Sequence, residues 1–95
     1  MINFKLESKE YLTINFEKNG ASLSALIEDD TIYLHSFSSV IENRGYMTDI
    51  LTEALDYLKL HFPEYGIYAD CNIKGMVTSL KCGGQIRKDI FRIDF

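Results

Sequence analysis

The first part of the chain alternates apolar and polar residues, which is the pattern of half-buried β-strands. Within residues 1–16, apolar side chains stand at every second position of two short runs. These positions are Ile2, Phe4, Leu6, Leu12, Ile14 and Phe16. Asn19-Gly20 is a hairpin turn signal, and the alternation resumes from Ala21 to Glu28. We therefore predict three strands in this part of the chain.

A fourth strand and a helix follow. The acidic turn Glu28-Asp29-Asp30 leads into a more apolar strand from Thr31 to Val40. From Thr48 to Phe62 the apolar period changes to that of an amphipathic helix. The apolar stripe consists of Met47, Ile50, Leu51, Ala54, Leu55, Leu58 and Phe62. Pro63 predicts the end of this helix.

The remaining residues predict a strand, a short helix and one or two last strands. Ile67, Ala69 and Cys71 alternate as a strand. The order strand, helix, strand favours a crossover that lays the two strands parallel. Residues 75–82 read as a short helix that Gly83-Gly84 stops, and residues 85–95 supply the last strands. The predicted fold class is α/β (α+β), in a single domain spanning residues 1–95. One mixed sheet is expected, with four N-terminal antiparallel strands, then helix, strand, helix and one or two C-terminal strands.

The composition narrows the classes of partner and the cellular location that we expect for the chain. The chain has 95 residues, 46% of them hydrophobic, a net charge of −4 and a pI near 5.0. An acidic surface argues against sequence-independent nucleic-acid binding and favours basic partners. There is no apolar run that could span a membrane and no secretory pattern, so we expect a cytoplasmic protein. Cys71 and Cys82 are expected to be reduced, and no metal site is predicted.

The segment Arg44-Gly45-Tyr46-Met47 follows the fourth strand and opens the helix. Glycine can adopt a positive φ and lets a ligand approach the main chain closely. The N–H groups in the first turn of a helix have no intrahelical acceptor and favour anions. This junction therefore predicts an anion site large enough for a diphosphate.

Residues 45–51, Gly-Tyr-Met-Thr-Asp-Ile-Leu, resemble the acyl-CoA pyrophosphate loop of the GNAT superfamily of N-acetyltransferases, whose pattern is Gln/Arg-x-x-Gly-x-Gly/Ala. They are most similar to the Gly-Tyr-Ala-Thr-Glu-Ala-Leu form of its ribosomal-protein branch. Two departures are Met47, in place of a second small residue, and Glu42, in place of Gln or Arg. A second match is Asn72 followed by Gly75 and then Lys81-Cys82-Gly83-Gly84. The resemblance covers residues 31–95.

This resemblance implies a minimal GNAT domain that binds acetyl-CoA. The main chain of Ser38, Ser39 and Val40 would hydrogen-bond the pantetheine arm. The amides of residues 44–47 (Arg44, Gly45, Tyr46 and Met47) would hold the pyrophosphate. Asn72 has two interpretations that are compatible with each other, a bond to the pantetheine arm or a cap of the short helix.

Two residues are candidates for catalysis. Ser79 falls where many GNAT enzymes place a Tyr that acts as general acid, and its alternative role is a packed helix serine. His35 is the only base of suitable ordinary pKa on the fourth strand, and its alternative role is a strand histidine facing solvent. Glu28 and Asp30 are alternative bases that would act through water, although an acidic turn is usually only solvated.

The leading hypothesis is an acetyl-CoA-dependent N-acetyltransferase that acts on a protein lysine, a protein N-terminus or a small amine by direct transfer. The alternative is a catalytically silent GNAT-like module that binds and inhibits a partner protein. By resemblance, very short GNAT-like chains also occur in phage genomes, where they target host proteins. A third hypothesis depends on the acidic surface alone. In it the chain is a small inhibitor that occupies a basic site on a larger protein. GNAT domains usually begin with a strand and two helices that wall the acceptor site, and no such helices are predicted here. A homodimer partner or the target protein would have to complete that site.

Overall fold

The structure is a computed structural model that describes residues 2–6, 11–41, 44–70 and 78–95. Its long elements are seven strands and one helix. In chain order they are β1 (Ile2–Leu6), β2 (Tyr11–Lys18), β3 (Ala21–Glu28), β4 (Thr31–Ser39), α1 (Tyr46–His61), β5 (Gly66–Asp70), β6 (Gln85–Arg87) and β7 (Arg92–Asp94). Residues 78–81 form a short helical turn between β5 and β6.

All seven strands belong to one mixed sheet in the order β1-β2-β3-β4-β5-β7-β6. The first four strands are antiparallel neighbours, as predicted. α1 then carries the chain across to β5, which pairs parallel to β4, and this prediction is also confirmed. β7 returns antiparallel to β5, with β6 outside it as an edge strand. The α+β class and the mixed sheet are therefore observed.

Tight turns fix the register of the N-terminal strands. Asn19 and Gly20 both have positive φ, 55° and 79°, as a two-residue type I′ hairpin turn requires. This turn brings Lys18 opposite Ala21. Because side chains alternate along a strand, the register places every apolar residue of β2 and β3 that the pattern singled out on one face of the sheet.

α1 packs on that face and completes a two-layer core. The predicted helical stripe is confirmed, since its central residues are buried and its flanking Met47 and Phe62 pack against the core. The buried residues of α1 are Ile50, Leu51, Ala54, Leu55 and Leu58. They meet strand residues of β2 to β5 that are equally buried, namely Ile14, Phe16, Ala21, Leu23, Ala25, Ile27, Ile32, Leu34, Ile67 and Ala69. We call the opposite side of the sheet the open face.

The element boundaries differ slightly from those predicted. α1 begins at Tyr46 and not at Thr48, and β4 ends at Ser39 and not at Val40. Cys71 and residues 75–77 of the predicted short helix lie outside the described residues. Among the residues that the structure describes, no helix combines the length and apolar character needed to cross a membrane.

Candidate functional site

β4 contains a bulge just beyond its last described pair with β5. Ser22 pairs with Ser38 and Ser24 pairs with His35, so β4 has one residue more than β3 in this interval. Ser36 has a positive φ of 58°, which is uncommon for a residue other than glycine. Bulges of this kind bend a strand and disrupt the local ladder. The bulge follows Leu34, the last β4 residue that pairs with a described residue of β5.

The parallel ladder between β4 and β5 runs from Thr31 opposite Gly66 to Leu34 opposite Ala69. His35 and Asp70 are the next residues on the two strands and they are not paired, although both belong to strands. From His35 to Ser39, the described pairs of β4 are all with β3. The described part of the sheet therefore opens between β4 and β5 at His35 and Asp70.

α1 begins next to the end of β4 with free main-chain donors. Gly45 caps the helix in the left-handed conformation, with φ 77°, and no side chain bonds to the cap. The first intrahelical bond runs from the Asp49 N–H to the Gly45 carbonyl oxygen, at 3.0 Å. The N–H groups of Tyr46, Met47 and Thr48 therefore lack an intrahelical acceptor. They point out of the positive end of the helix.

The described side chains at this junction either pack against the core or are exposed. Met47 and Tyr46 are partly buried and pack against the core. The Met47 side chain, which stands where the GNAT pattern has a small residue, is therefore accommodated toward the protein interior. A Cβ atom added to Gly45 would meet nothing within 4 Å, which places open space beside the loop. Arg44 is exposed next to Gly45. Glu42 lies outside the described residues.

The end of β4 offers main-chain groups on the side away from β3. The Val40 N–H donates to the Gly20 carbonyl oxygen at 3.0 Å, so this amide is committed to the hairpin. Main-chain groups alternate in direction along a strand. Ser39 therefore directs its N–H and carbonyl away from β3, and Ser38, which pairs with Ser22, directs them toward β3. Of the three residues expected to hold a pantetheine arm, Ser39 has the most suitable main-chain orientation.

The second motif lies against the first turns of α1. Cys82 Sγ is 3.5 Å from Thr52 Oγ1 and 3.8 Å from the Thr48 carbonyl oxygen. Gly84 follows in close contact, because its N–H donates to the Ser79 carbonyl oxygen at 2.8 Å. The two segments that carry the resemblance are thus neighbours in space. Asn72 lies outside the described residues.

Ser79 is buried, with 1% of its surface exposed. Its Oγ has no hydrogen-bond partner among the described residues. A buried hydroxyl without a partner costs free energy, on the order of 1–3 kcal/mol. Such a group in a native fold requires an explanation, and a functional role is one.

His35 lies on the open face, on the other side of the sheet from α1. Its Nδ1 is 2.8 Å from Ser36 Oγ, and its ring stacks on that of Tyr33 with the centroids 5.4 Å apart. Partial burial lowers the pKa of His35 below its ordinary value of 6.5. The imidazole is therefore neutral at pH 7, and Nε2 is the nitrogen that Ser36 leaves free.

The structure also brings together residues that the sequence analysis did not select. Tyr33 Oη donates a hydrogen bond to Asp70 Oδ2 at 2.5 Å. The Tyr33 ring is 5.3 Å from that of Tyr68, and the guanidinium of Arg92 lies 4.9 Å from the Tyr68 centroid. The sequence signal was available, because Tyr33 and His35 alternate with the buried Ile32 and Leu34 and therefore share a face. Their cross-strand partners required the register of β5 and β7.

Comparison of the chain with protein-family models, curated proteins and solved structures found no match. The arrangement of the residues is therefore the basis for a functional proposal.

Proposed function

We propose that the chain is a minimal GNAT-like, acetyl-CoA-dependent N-acetyltransferase that acts on a protein lysine, a protein N-terminus or a small amine. One observation carries this proposal. The N–H groups at the start of α1, which have no intrahelical acceptor, follow the end of β4, and the described parallel pairs between β4 and β5 end at Leu34 and Ala69. A sheet that opens beside a helix N-terminus has room for a thioester cofactor and donors for its phosphates.

The residues at the junction are suited to a diphosphate. Gly45 adopts a conformation that costs L-residues free energy, and open space adjoins it. Met47 packs toward the core and does not occupy that space. Arg44 adds a positive charge next to the amides. The main chain of Ser39 is directed to the side where a pantetheine arm would lie.

When bound, acetyl-CoA supplies an activated acetyl thioester that a neutral amine can attack. His35 is neutral at pH 7 and can accept the proton of the attacking amine at Nε2. Ser79 has a hydroxyl with no other partner among the described residues, and that hydroxyl is available to protonate the leaving thiolate. A serine hydroxyl is a weak acid, so we expect slow turnover.

The alternative function is a catalytically silent module that binds a partner protein. The observation that favours it is the same Ser79, because a small and almost completely buried hydroxyl is a poor substitute for a tyrosine acid. His35 on the open face can also be explained as a surface residue of a binding module. In this alternative the segment from Arg44 to Met47 only connects β4 to α1 and binds no cofactor.

Calorimetric titration with acetyl-CoA tests the proposal. Heat of binding and a higher melting temperature are expected, because a ligand that binds only the folded state stabilises it. Absence of both at millimolar acetyl-CoA would remove the transferase and leave the silent module. Where binding is observed, mass spectrometry of lysine peptides incubated with the chain and acetyl-CoA distinguishes the enzyme from the silent binder.

A further inference from the structure

We propose that Asp70, Tyr33 and Tyr68 form a binding site on the open face for the ammonium group of a lysine side chain in a partner polypeptide. The proposal rests on contacts of this face and holds whether or not the chain transfers an acetyl group.

Asp70 is the acidic residue of this site. It is exposed, and within the described residues it has no cationic group within 4.0 Å. Asp94, on the neighbouring strand β7, is paired with both Arg87 and Arg92. The carboxylate of Asp70 accepts the Tyr33 hydroxyl but pairs with no cation of the described residues, and it therefore attracts one from outside them.

Arg92 lies opposite Asp70 in the sheet but forms no ion pair with it. The two residues are direct partners in the ladder between β5 and β7. The Arg92 Nε nevertheless lies 2.7 Å from Asp94 Oδ1, and its guanidinium lies over Tyr68. The cation nearest to Asp70 in register thus lies against Asp94 and Tyr68, although its Nε makes no hydrogen bond within the described part of the chain, and an added cation would not have to displace an ion pair of Asp70.

The remaining contacts of Asp70 favour an ammonium over a guanidinium. Arginine binds a carboxylate best through a fork that uses both oxygens. One of them, Oδ2, already accepts the Tyr33 hydroxyl. Oδ1 remains, and it suits a compact point charge. The rings of Tyr33 and Tyr68, with centroids 5.3 Å apart, provide apolar edges for the methylene stem of a lysine.

The charge of the whole chain favours a protein as the source of this lysine. The net charge of −4 attracts basic polypeptides and repels nucleic acid. The open face is half-exposed from β2 to β7, and flanking residues of an extended segment can lie along it. If the chain is an acetyltransferase, the same site brings a lysine next to His35, whose ring stacks on Tyr33.

The test is an NMR titration of the ¹⁵N-labelled full chain, without acetyl-CoA, with the blocked peptide Ac-Gly-Lys-Gly-NH₂. We expect shifts at the amides of Tyr33, His35, Tyr68 and Asp70. The same peptide with Nε-acetyl-lysine should bind at least about tenfold more weakly, because it lacks the charge. Equal binding of the two peptides, or shifts confined to α1, would overturn the proposal.

Variants make the test specific. Asp70→Asn should weaken binding of the lysine peptide by about tenfold or more. Asp56→Asn removes the same charge from the exposed surface of α1 and should leave binding unchanged. Tyr33→Phe keeps the charge of Asp70 and removes only the bond that orients it, so it should weaken binding less and also serves if Asp70→Asn does not fold.

Two further outcomes are informative. Shifts of the same amides by an oligothymidylate but not by the lysine peptide would overturn the proposal in favour of nucleic-acid binding. Calorimetry with acetyl-CoA and with the lysine peptide, both on the wild-type chain, separates this proposal from the proposed function. Cofactor binding without peptide binding contradicts the lysine site alone, and peptide binding without cofactor binding contradicts the transferase alone.

Discussion

Leu34 and Ala69 form the last residue pair between the parallel strands β4 and β5. Beyond this pair β4 contains a bulge and continues to Ser39 with β3 as its neighbour. The core side of the pair is buried, and the residues that follow it, His35 and Asp70, belong to the open face. A buried scaffold thus ends where chemically reactive side chains begin, which is the arrangement expected of a binding cleft between two strands.

Acetyl-CoA binding should depend on the charge at the start of α1. At ten times its dissociation constant a ligand adds about 1.4 kcal/mol to the stability of the folded state, or several degrees in the melting temperature of a domain of this size. Arg44→Ala should reduce this shift. Lys59→Ala makes the same charge change in the last turn of α1 and should not. Equal effects of the two variants would indicate general electrostatics and no cofactor site at Gly45.

Gly84 and Gly66 should respond in opposite ways to alanine. A Cβ atom at Gly84 would lie 2.6 Å from Ile93 Cγ2 and 2.8 Å from the Ser79 carbonyl oxygen, so the main chain must move. We expect Gly84→Ala to lower the free energy of unfolding by about 1–3 kcal/mol. A Cβ at Gly66 meets nothing within 4 Å, and Gly66→Ala should be neutral or stabilising by up to about 1 kcal/mol. Urea unfolding of both variants measures the difference, and a stable Gly84→Ala would show that this contact can relax.

Most of the fold could be predicted because its signals are local. Period-two alternation located β1 to β3, and an Asn-Gly pair located the first hairpin. The helical stripe from Ile50 to Leu58 located the helix that covers the sheet. The parallel pairing of β4 and β5 followed from the strand, helix, strand order. These features depend on residues that are close in sequence or on general rules of connection.

The open face could not be predicted from local signals. Tyr33 and Asp70 are far apart in sequence and meet only because β5 pairs with β4 in one register. No residue type in the sequence predicts the bulge at Ser36, because serine seldom adopts a positive φ. The sequence gives no neighbours for His35 for the same reason. The residues around His35 are determined by how the strands pair and not by the sequence of β4 alone.

Ser79→Ala should separate a structural role from a catalytic one. The hydroxyl is buried and has no partner among the described residues. Its removal relieves an unsatisfied polar group, so the free energy of unfolding should stay the same or rise by about 1 kcal/mol. If Ser79 protonates the leaving thiolate, the rate of acetyl transfer falls while the calorimetric affinity for acetyl-CoA is kept. A large loss of stability would show instead that the hydroxyl has a structural partner.

The pH dependence of acetyl transfer should reflect His35. A general base acts when neutral, and partial burial lowers the pKa of His35 below 6.5. The rate at limiting acetyl-CoA should therefore persist as the pH falls to 6.5 and decline only below it. His35→Gln should lower the rate and remove this limb of the profile. His61→Gln changes the histidine at the end of α1 and should preserve both. A profile unchanged by His35→Gln would exclude His35 as the base.

Tyr33 should report the state of its hydrogen bond to Asp70. The bond to Asp70, followed by burial and by the negative charge of that residue, raises the pKa of Tyr33 to about 12 from an ordinary 10. The folded protein thus holds this phenolic proton more tightly than the unfolded chain. The stabilisation is complete below pH 10 and is lost as the pH rises through the folded-state value near 12. Asp70→Asn should move the Tyr33 titration back toward pH 10 and flatten the fall in stability over that interval.

Ultraviolet difference titrations of the wild type against Tyr33→Phe isolate this one tyrosine from the others, and repeating the pair in the Asp70→Asn background measures the shift. A Tyr33 that titrates near pH 10 in the wild type would contradict the hydrogen bond, and with it the oriented carboxylate on which the lysine site depends.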